Sequence, residues 1–132
     1  MVYNYGKQIW DRFTNPNHVG ELDESSIDVG VGLVGSPACG DVLQFFIQVQ
    51  NSLIINAMFK TFGCGSAIAS SDYLAELVIN KTLEQALKIR NIEIANKLQL
   101  PKIKTHCSVL AETAIKRAIK DYLRKNNISM PL

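Results

Sequence analysis

Three cysteines, one histidine and one aspartate are the residues of this chain whose chemistry points most directly to a function. The cysteines are Cys39, Cys64 and Cys107, and the 132-residue chain contains no others. His106 directly precedes the last cysteine, and Asp41 follows the first cysteine by two positions. Thiolate and imidazole are preferred ligands of zinc and iron, and a carboxylate can complete such a set. These residue types predict a metal site, provided that the fold brings them together.

The spacing of the cysteines requires that any shared site be assembled by tertiary structure. It is too wide for the paired Cys-x-x-Cys pattern of structural zinc ribbons. Cys39 and Cys64 have glycine neighbours, which allow the backbone to approach a metal closely. In the segment 100–112, a basic loop leads His106 and Cys107 into the first turn of a predicted helix, where unpaired N–H groups favour a thiolate. The alternative is that each cysteine is a small buried hydrophobic residue.

Two further positions also allow more than one interpretation. Asp41 is either a loop-capping residue, as aspartate beside glycine often is, or a ligand that keeps one coordination position labile. Lys102 and Lys104 are either solvated loop residues, a docking strip for a partner, or a source of positive charge that lowers the thiol pKa of Cys107.

Composition limits the classes of function. The chain is 47% hydrophobic and 20% charged, which is typical of one soluble globular domain, assigned here to residues 1–132. Its net charge of +2 predicts no nucleic-acid partner. The apolar runs are too short for a membrane span, and the first residues lack the apolar core of a secretory signal, so we expect neither a membrane partner nor a disulfide framework.

The first half of the chain predicts a helix and a sheet. A helix over residues 3–14 ends at Asn15-Pro16 and is expected to place Trp10 and Phe13 in the core. Alternating apolar and β-branched residues then predict an antiparallel meander with a tight turn at residues 50–52. Its three strands are predicted over residues 27–34, 42–49 and 53–61.

The second half of the chain predicts helices. Ser66 is expected to cap a helix that follows Gly65, the segment 82–85 forms a capping box, and Asn91 is expected to cap a helix to residue 98. The last helix is predicted over residues 107–125. The fold class is therefore α+β: a three-stranded antiparallel sheet packed on helices, with a long C-terminal helix. Each cysteine falls at the end of an element, so all three can share one edge of the molecule.

Four segments resemble the IscU/NifU-type iron–sulfur cluster assembly scaffolds. They are residues 10–20 (WDRFTNPNHVG), 29–41 (VGVGLVGSPACGD), 59–71 (FKTFGCGSAIASS) and 104–112 (KTHCSVLAE). The resemblance covers nearly the whole chain, in order, and it implies the fold of the IscU/NifU N-terminal domain.

The resemblance implies a scaffold or carrier rather than an enzyme. A 2Fe–2S cluster would be assembled on it from iron and desulfurase-derived sulfur and then transferred to acceptor apoproteins. By motif, Cys39, Cys64 and Cys107 would be the cluster ligands, and Asp41 and His106 would share the fourth-ligand and exchange roles. Cys107 would also be the first sulfur acceptor, and a zinc or iron ion could occupy the site when it holds no cluster.

The resemblance also implies partners: a cysteine desulfurase, chaperones of the DnaK/DnaJ class, a frataxin-like protein, a ferredoxin and acceptor apoproteins. The chaperone-docking segment corresponds to Leu100, Pro101, Lys102, Ile103 and Lys104, where the family usually has L-P-P-V-K, so that Lys102 and Ile103 depart from the pattern. The expected compartment is the bacterial cytoplasm, with a mitochondrial or mitosomal matrix as the alternative.

Two other functions remain as alternatives at this point. One is a zinc-binding sulfur acceptor or a structural zinc protein, although no insertion separates the second and third predicted strands, as the longer zinc-dependent branch would require. The other is a nucleophilic enzyme that uses Cys107 with His106. Adjacency in sequence argues against this pair, because a catalytic base is normally brought to its nucleophile by the fold.

Overall fold

A computed structural model describes residues 6–36 and 40–128 of the chain, and it confirms the predicted α+β class. Among the helices in these ranges, none has both the length and the apolar character needed to cross a bilayer. In chain order, the elements are α1 (Lys7–Thr14), β1 (Val29–Ser36), β2 (Asp41–Gln50), β3 (Leu53–Phe62), α2 (Gly65–Val78), α3 (Leu83–Leu87), α4 (Asn91–Leu98), a 3₁₀ turn (Lys102–Lys104) and α5 (Thr105–Lys125).

The sheet is the predicted antiparallel meander, with strand order β1-β2-β3. Asn51 and Ser52 connect β2 to β3 with φ angles of 55° and 63°, the left-handed values that a tight hairpin turn needs. Ser36 is paired with Asp41, and Phe62 lies at the same end of the sheet. The end of β1, the start of β2 and the end of β3 therefore lie side by side at one end of the sheet, which we call the sheet edge.

The core lies between one face of the sheet and the helices. The large side chains of this core come from alternate positions of the strands and from one face each of α2, α4 and α5, as period-2 and period-3.6 patterns require, whereas the buried Phe46 lies on the opposite face of β2 and outside this core. These side chains include Phe45, Ile47, Phe59, Leu74, Ile94, Ile115 and Ile119.

Helix α5 lies directly on β1, because two positions of that strand have no side chain. A Cβ atom on Gly30 would lie 2.2 Å from the carbonyl oxygen of Ala118. One on Gly32 would lie 2.3 Å from the carbonyl oxygen of Ala114. The two glycines therefore let the backbone of α5 approach β1 closely, and the N-terminus of α5 is held at the sheet edge described above.

Side chains of α5 also bond to the outer edge of β1. They are spaced four residues apart on the helix, and their backbone partners are spaced two apart on the strand. These bonds satisfy polar groups that an edge strand otherwise leaves open. Arg117 donates to the Leu33 carbonyl (2.8 Å), Asp121 accepts from the Val31 N–H (3.0 Å) and Lys125 donates to the Val29 carbonyl (2.8 Å).

The prediction that Trp10 is a core residue is wrong. Its side chain is 54% exposed, whereas its neighbour Ile9 is fully buried. Consecutive helical residues point about 100° apart, so this short helix can direct only one of the two into the core. Trp10 instead meets the half-buried Phe13 edge to face, with ring centroids 6.1 Å apart.

Several predicted element boundaries also change. Cys64, not Ser66, is the N-cap of α2, and within the described residues the buried Ser66 hydroxyl has no hydrogen-bond partner. Arg90 rather than Asn91 is the N-cap of α4, and α5 begins two residues earlier than predicted. The strand β1 begins and ends two residues later than predicted, because its pairing with β2 runs from Val29 to Ser36. The capping box at Thr82 is confirmed.

We expect Gly30→Ala to destabilise the protein, because the added methyl group would clash with the backbone of α5. Overpacking of this kind costs about 1–3 kcal/mol. Thermal unfolding measures the loss as a lower Tm. Leu33→Ala is the control, since that side chain is on the same strand but exposed. Equal Tm values for the two variants would contradict the close packing of α5 on β1.

Candidate metal centre

Three predicted site residues meet at the shared edge of the sheet. Asp41 begins β2, Cys64 is the N-cap of α2, and Cys107 lies in the first turn of α5. One ligand atom from each lies within 4.8 Å of the others, and the two sulfur atoms are 3.6 Å apart. Cys39 lies outside the described residues. The arrangement can accommodate a metal ion, and the role of each residue as a ligand stays a prediction.

The Asp41 carboxylate connects the elements that form the site. It is only 5% exposed. Its Oδ1 atom accepts the backbone N–H of Cys64 at 3.2 Å, and its Oδ2 atom lies 2.7 Å from Nε2 of His106. A carboxylate at the N-terminus of a helix is also favoured by the helix dipole. Asp41 thereby joins the sheet to the first residues of both α2 and α5.

His106 lies at the mouth of the site, with its side chain 45% exposed. The nitrogen that faces Asp41, Nε2, also lies 3.6 Å from the sulfur of Cys107. A catalytic histidine uses one ring nitrogen towards its nucleophile and the other towards the orienting carboxylate. Here one nitrogen faces both groups, so the geometry does not support the nucleophilic-enzyme alternative.

The two neighbouring thiols have very different acidities. The hydrogen bond that Cys64 accepts from Cys107 lowers the pKa of Cys64 to about 5 against the effect of burial, with help from the Ala67 N–H and the charge of Lys104. The same hydrogen bond raises the pKa of Cys107, and burial and the nearby charges of Cys64 and Asp41 raise it further. These opposite pKa shifts favour loss of the proton from Cys64 before Cys107.

This result corrects the expectation that the helix N-terminus makes Cys107 a thiolate. The positive charge of Lys104 does lower the pKa of Cys107, as the sequence suggested. That effect is outweighed because Cys107 is 2% exposed and because its hydrogen bond with Cys64 raises its pKa. A hydrogen bond between cysteines from distant segments cannot be read from either segment alone.

Gly63 has a role at the site that the sequence argument missed. A Cβ atom at this position would lie 2.2 Å from Oδ1 of Asp41 and 3.2 Å from the Cβ of Ala67. The Asp41 carboxylate thus occupies the space that a side chain at position 63 would fill. The signal available in the sequence was a glycine immediately before a candidate ligand at a strand-to-helix junction.

The segment predicted to dock a partner leads directly into the site. Leu100 packs partly on the core, and the 3₁₀ turn of residues 102–104 follows it. Ile103 is 65% exposed in this turn. The segment therefore combines an anchored start with an exposed apolar side chain, next to the helix that carries His106 and Cys107.

The donor set suits a soft or borderline metal. Two thiols, an imidazole and a carboxylate match the ligands of zinc and of iron–sulfur centres. Ligating sulfur must be deprotonated, so a metal that binds Cys107 has to displace its proton.

We expect Gly63→Ala to weaken metal binding about tenfold, the lower end of what is typical when a group that orients a ligand is disturbed. The added methyl group would push the Asp41 carboxylate away from the N–H of Cys64. The measurement is zinc affinity of the reduced protein, by competition with a chromophoric chelator. In an Asp41→Ala background the same substitution should have no further effect, since the displaced carboxylate is gone. Equal losses in both backgrounds would show that Gly63 acts independently of Asp41.

We also expect Cys64 of the metal-free protein to react with iodoacetamide at nearly constant rate from pH 8 to pH 6, with an inflection near its pKa of about 5. In Cys107→Ala the inflection should move up towards that of an ordinary thiol, because the largest cause of the lowered pKa is removed. Mass spectrometry of the peptide containing Cys64 follows the reaction. An inflection that is the same in both proteins would contradict the assigned cause.

Known proteins share this sequence and this fold. Residues 4–129 match the family described as the NifU-like N terminal domain. Iron sulfur cluster assembly protein 1, mitochondrial, from Debaryomyces hansenii is 54% identical over 129 residues, which cover 96% of this chain and 72% of the relative. The iron-sulfur cluster assembly scaffold protein IscU of Haemophilus influenzae is 53% identical over 122 residues, covering 92% of this chain and 97% of the relative.

A solved structure supports the fold independently. The crystal structure of the N-terminal part of a nitrogen-fixing NifU-like protein from Brucella abortus superimposes with a TM-score of 0.56 at 20% identity, covering 92% of this chain and 86% of that one. At this identity the likeness concerns the fold alone. The family match over nearly the whole chain and relatives more than half identical to it show that this chain belongs to the NifU-like N-terminal domain family.

Proposed function

We propose that this protein is a scaffold on which a 2Fe–2S cluster is assembled from iron and sulfur and from which it passes to acceptor apoproteins. One observation carries the proposal: ligand atoms of Asp41, Cys64 and Cys107 lie within 4.8 Å of one another, with His106 bonded to Asp41. The name of the Haemophilus influenzae relative, a scaffold protein, supports the same role. A scaffold of this kind binds and releases its cargo and needs no catalytic turnover.

In this proposal, the ligands are the three cysteines, with Asp41 and His106 serving the fourth position and the exchange of the cluster. Cys39 precedes Asp41 by two positions in the sequence. Thiolates hold an iron–sulfur cluster firmly, whereas a carboxylate or imidazole holds it less firmly. Mixed ligation therefore suits a cluster that must later be released.

Cys107 is the proposed acceptor of sulfur, as the family resemblance implies. Its thiol must first lose its proton, and the sulfur of Cys64, 3.6 Å away, is placed to accept it. The thiolate then attacks the outer sulfur of a persulfide on the sulfur donor. The sulfur–sulfur bond of the donor breaks, Cys107 becomes a persulfide, and the donor cysteine leaves as a thiolate.

A scaffold needs a sulfur donor and acceptor proteins as partners. We propose a cysteine desulfurase as the donor, a ferredoxin as the source of electrons and a frataxin-like protein as a regulator. The segment from Leu100 to Lys104 is the proposed docking site for chaperones of the DnaK/DnaJ class, and the exposed Ile103 supports this assignment.

Of the two predicted compartments, we propose the mitochondrial or mitosomal matrix. Several relatives that are 52% to 59% identical to this chain are named mitochondrial proteins. We further propose that residues 1–132 form a single domain that carries the complete site. A zinc-binding sulfur acceptor or structural zinc protein is the alternative function, because the same donors suit a tetrahedral zinc ion.

Anaerobic reconstitution distinguishes these functions. The protein, freed of metal and reduced, is incubated with iron, cysteine and a cysteine desulfurase. We expect visible charge-transfer absorption of a 2Fe–2S cluster in the wild type and its loss in Cys64→Ser. Omission of cysteine is the control for adventitious sulfide. A colourless product that binds zinc but forms no cluster would favour the alternative.

We expect Asp41→Ala to slow the loss of a reconstituted cluster. A carboxylate is a harder ligand than a thiolate, and its removal leaves three thiolates and His106 to hold the cluster. The measurement is the decay of the visible band with and without an acceptor apoprotein. Asp23→Ala is the control, since Asp23 is an exposed carboxylate outside the site. Faster decay in Asp41→Ala would show that this residue holds the cluster.

A further inference from the structure

We propose that Cys64 and Cys107 of the metal-free protein are a peroxide-sensitive dithiol, which oxidation converts into an intramolecular disulfide that closes the site. The observation is the distance of 3.6 Å between the two sulfur atoms, across a sequence separation of 43 residues. The sulfur atoms of a disulfide are about 2.05 Å apart. Closing the remaining gap of about 1.5 Å requires a small movement of one side chain rather than a new fold.

The surroundings of Cys64 allow that movement. Cys64 lies between Gly63 and Gly65, at the junction of β3 and α2, whereas Cys107 is held in the first turn of α5. Glycine neighbours impose few steric limits on the backbone. We therefore expect Cys64 to move towards Cys107 while α5 keeps its place on β1.

The difference in solvent exposure between the two thiols determines which of them reacts first with an oxidant. Cys64 is half-buried and can be reached from solvent, whereas Cys107 is 2% exposed beneath it. An oxidant in solution thus meets Cys64 first. Cys107 is then in contact with the oxidised sulfur and can act as the resolving thiol, the arrangement typical of cysteine pairs that sense oxidants.

The oxidant is a hydroperoxide, with hydrogen peroxide as the simplest example. The sulfur of Cys64 attacks one peroxide oxygen, the O–O bond breaks, and a sulfenic acid and one water form after proton transfer. The sulfur of Cys107 then attacks the Cys64 sulfur, the S–O bond breaks, and the S–S bond forms with release of a second water. The two sulfurs together lose two electrons, which the peroxide accepts.

The disulfide would remove two of the thiolates from the donor set. Asp41 and His106 would remain, together with Cys39, a set that binds a soft metal or a cluster less well. A bound metal would have the opposite effect and protect both sulfurs. The consequence for cluster loading rests on the proposed function, whereas formation of the disulfide does not.

Disulfide mapping tests the proposal directly. The metal-free, reduced wild-type protein is treated with hydrogen peroxide, alkylated and digested with trypsin. Cleavage after lysine and arginine places the three cysteines in separate peptides, residues 13–60, 61–81 and 105–116. We expect the peptides 61–81 and 105–116 to be joined, and the cross-link to disappear on treatment with dithiothreitol.

Matched variants assign the bond. Cys39→Ser should form the same cross-link, and Cys64→Ser should form none between these two peptides. A predominant cross-link to the peptide 13–60, or conversion of Cys64 to sulfinic or sulfonic acid without any cross-link, would overturn the proposal. Retention of three alkylated thiols at a peroxide dose that oxidises free cysteine would also overturn it.

Zinc binding provides a second readout. The oxidised protein should lose its zinc binding and recover it after dithiothreitol treatment, and zinc-loaded protein should resist cross-linking. Unchanged zinc affinity in a fully cross-linked protein would refute closure of the site. Cluster formation by the reduced protein is measured separately, so failure of the redox proposal and failure of the scaffold proposal give different results.

Discussion

The direct contact between α5 and β1 is the constraint on which the rest of the structure depends. Gly30 and Gly32 leave no side chain between the strand and the helix backbone. Hydrogen bonds from α5 to the outer edge of β1 hold the helix along the strand. The position of α5 on β1 also fixes the position of the first turn of α5. That turn carries Cys107, which therefore lies beside Cys64 at the end of β3. Without this contact, the sulfur atoms of Cys64 and Cys107 would not be held next to each other.

The described donor groups at the sheet edge are bonded to one another. Asp41 accepts the N–H of Cys64 and pairs with His106, and the thiol of Cys107 bonds to the sulfur of Cys64. A net contribution of about 0.5–1.5 kcal/mol is typical of each such bond, so the site is organised without being rigidly closed. On the proposed function, an incoming metal would replace these contacts by stronger bonds, and a departing cluster would leave groups that can bond to one another again. Because the two sulfur atoms are so close, oxidation to a disulfide would compete with metal binding.

The sequence predicts features that depend on local patterns and on the family motifs. Alternation in the strands and the capping box at Thr82 are local signals, and each is confirmed. Trp10 was misassigned because both it and Ile9 are apolar, and only the position of α1 on the core decides which is buried. The acidity of Cys107 and the space left by Gly63 depend on contacts across the fold, with Cys64 and Asp41 respectively, so that no window of sequence contains them.

We predict that Cys64 and Cys107, which the fold brings to one edge of the sheet, bind a single metal ion or cluster. X-ray absorption spectroscopy of the zinc-loaded protein tests it most directly, because Zn–S bonds of about 2.3 Å and Zn–N or Zn–O bonds of about 2.0–2.2 Å are distinguished. We predict a mixed sphere dominated by sulfur, which loses sulfur in both Cys64→Ser and Cys107→Ser. A sphere made entirely of nitrogen and oxygen, or one unchanged by these substitutions, would contradict a shared site.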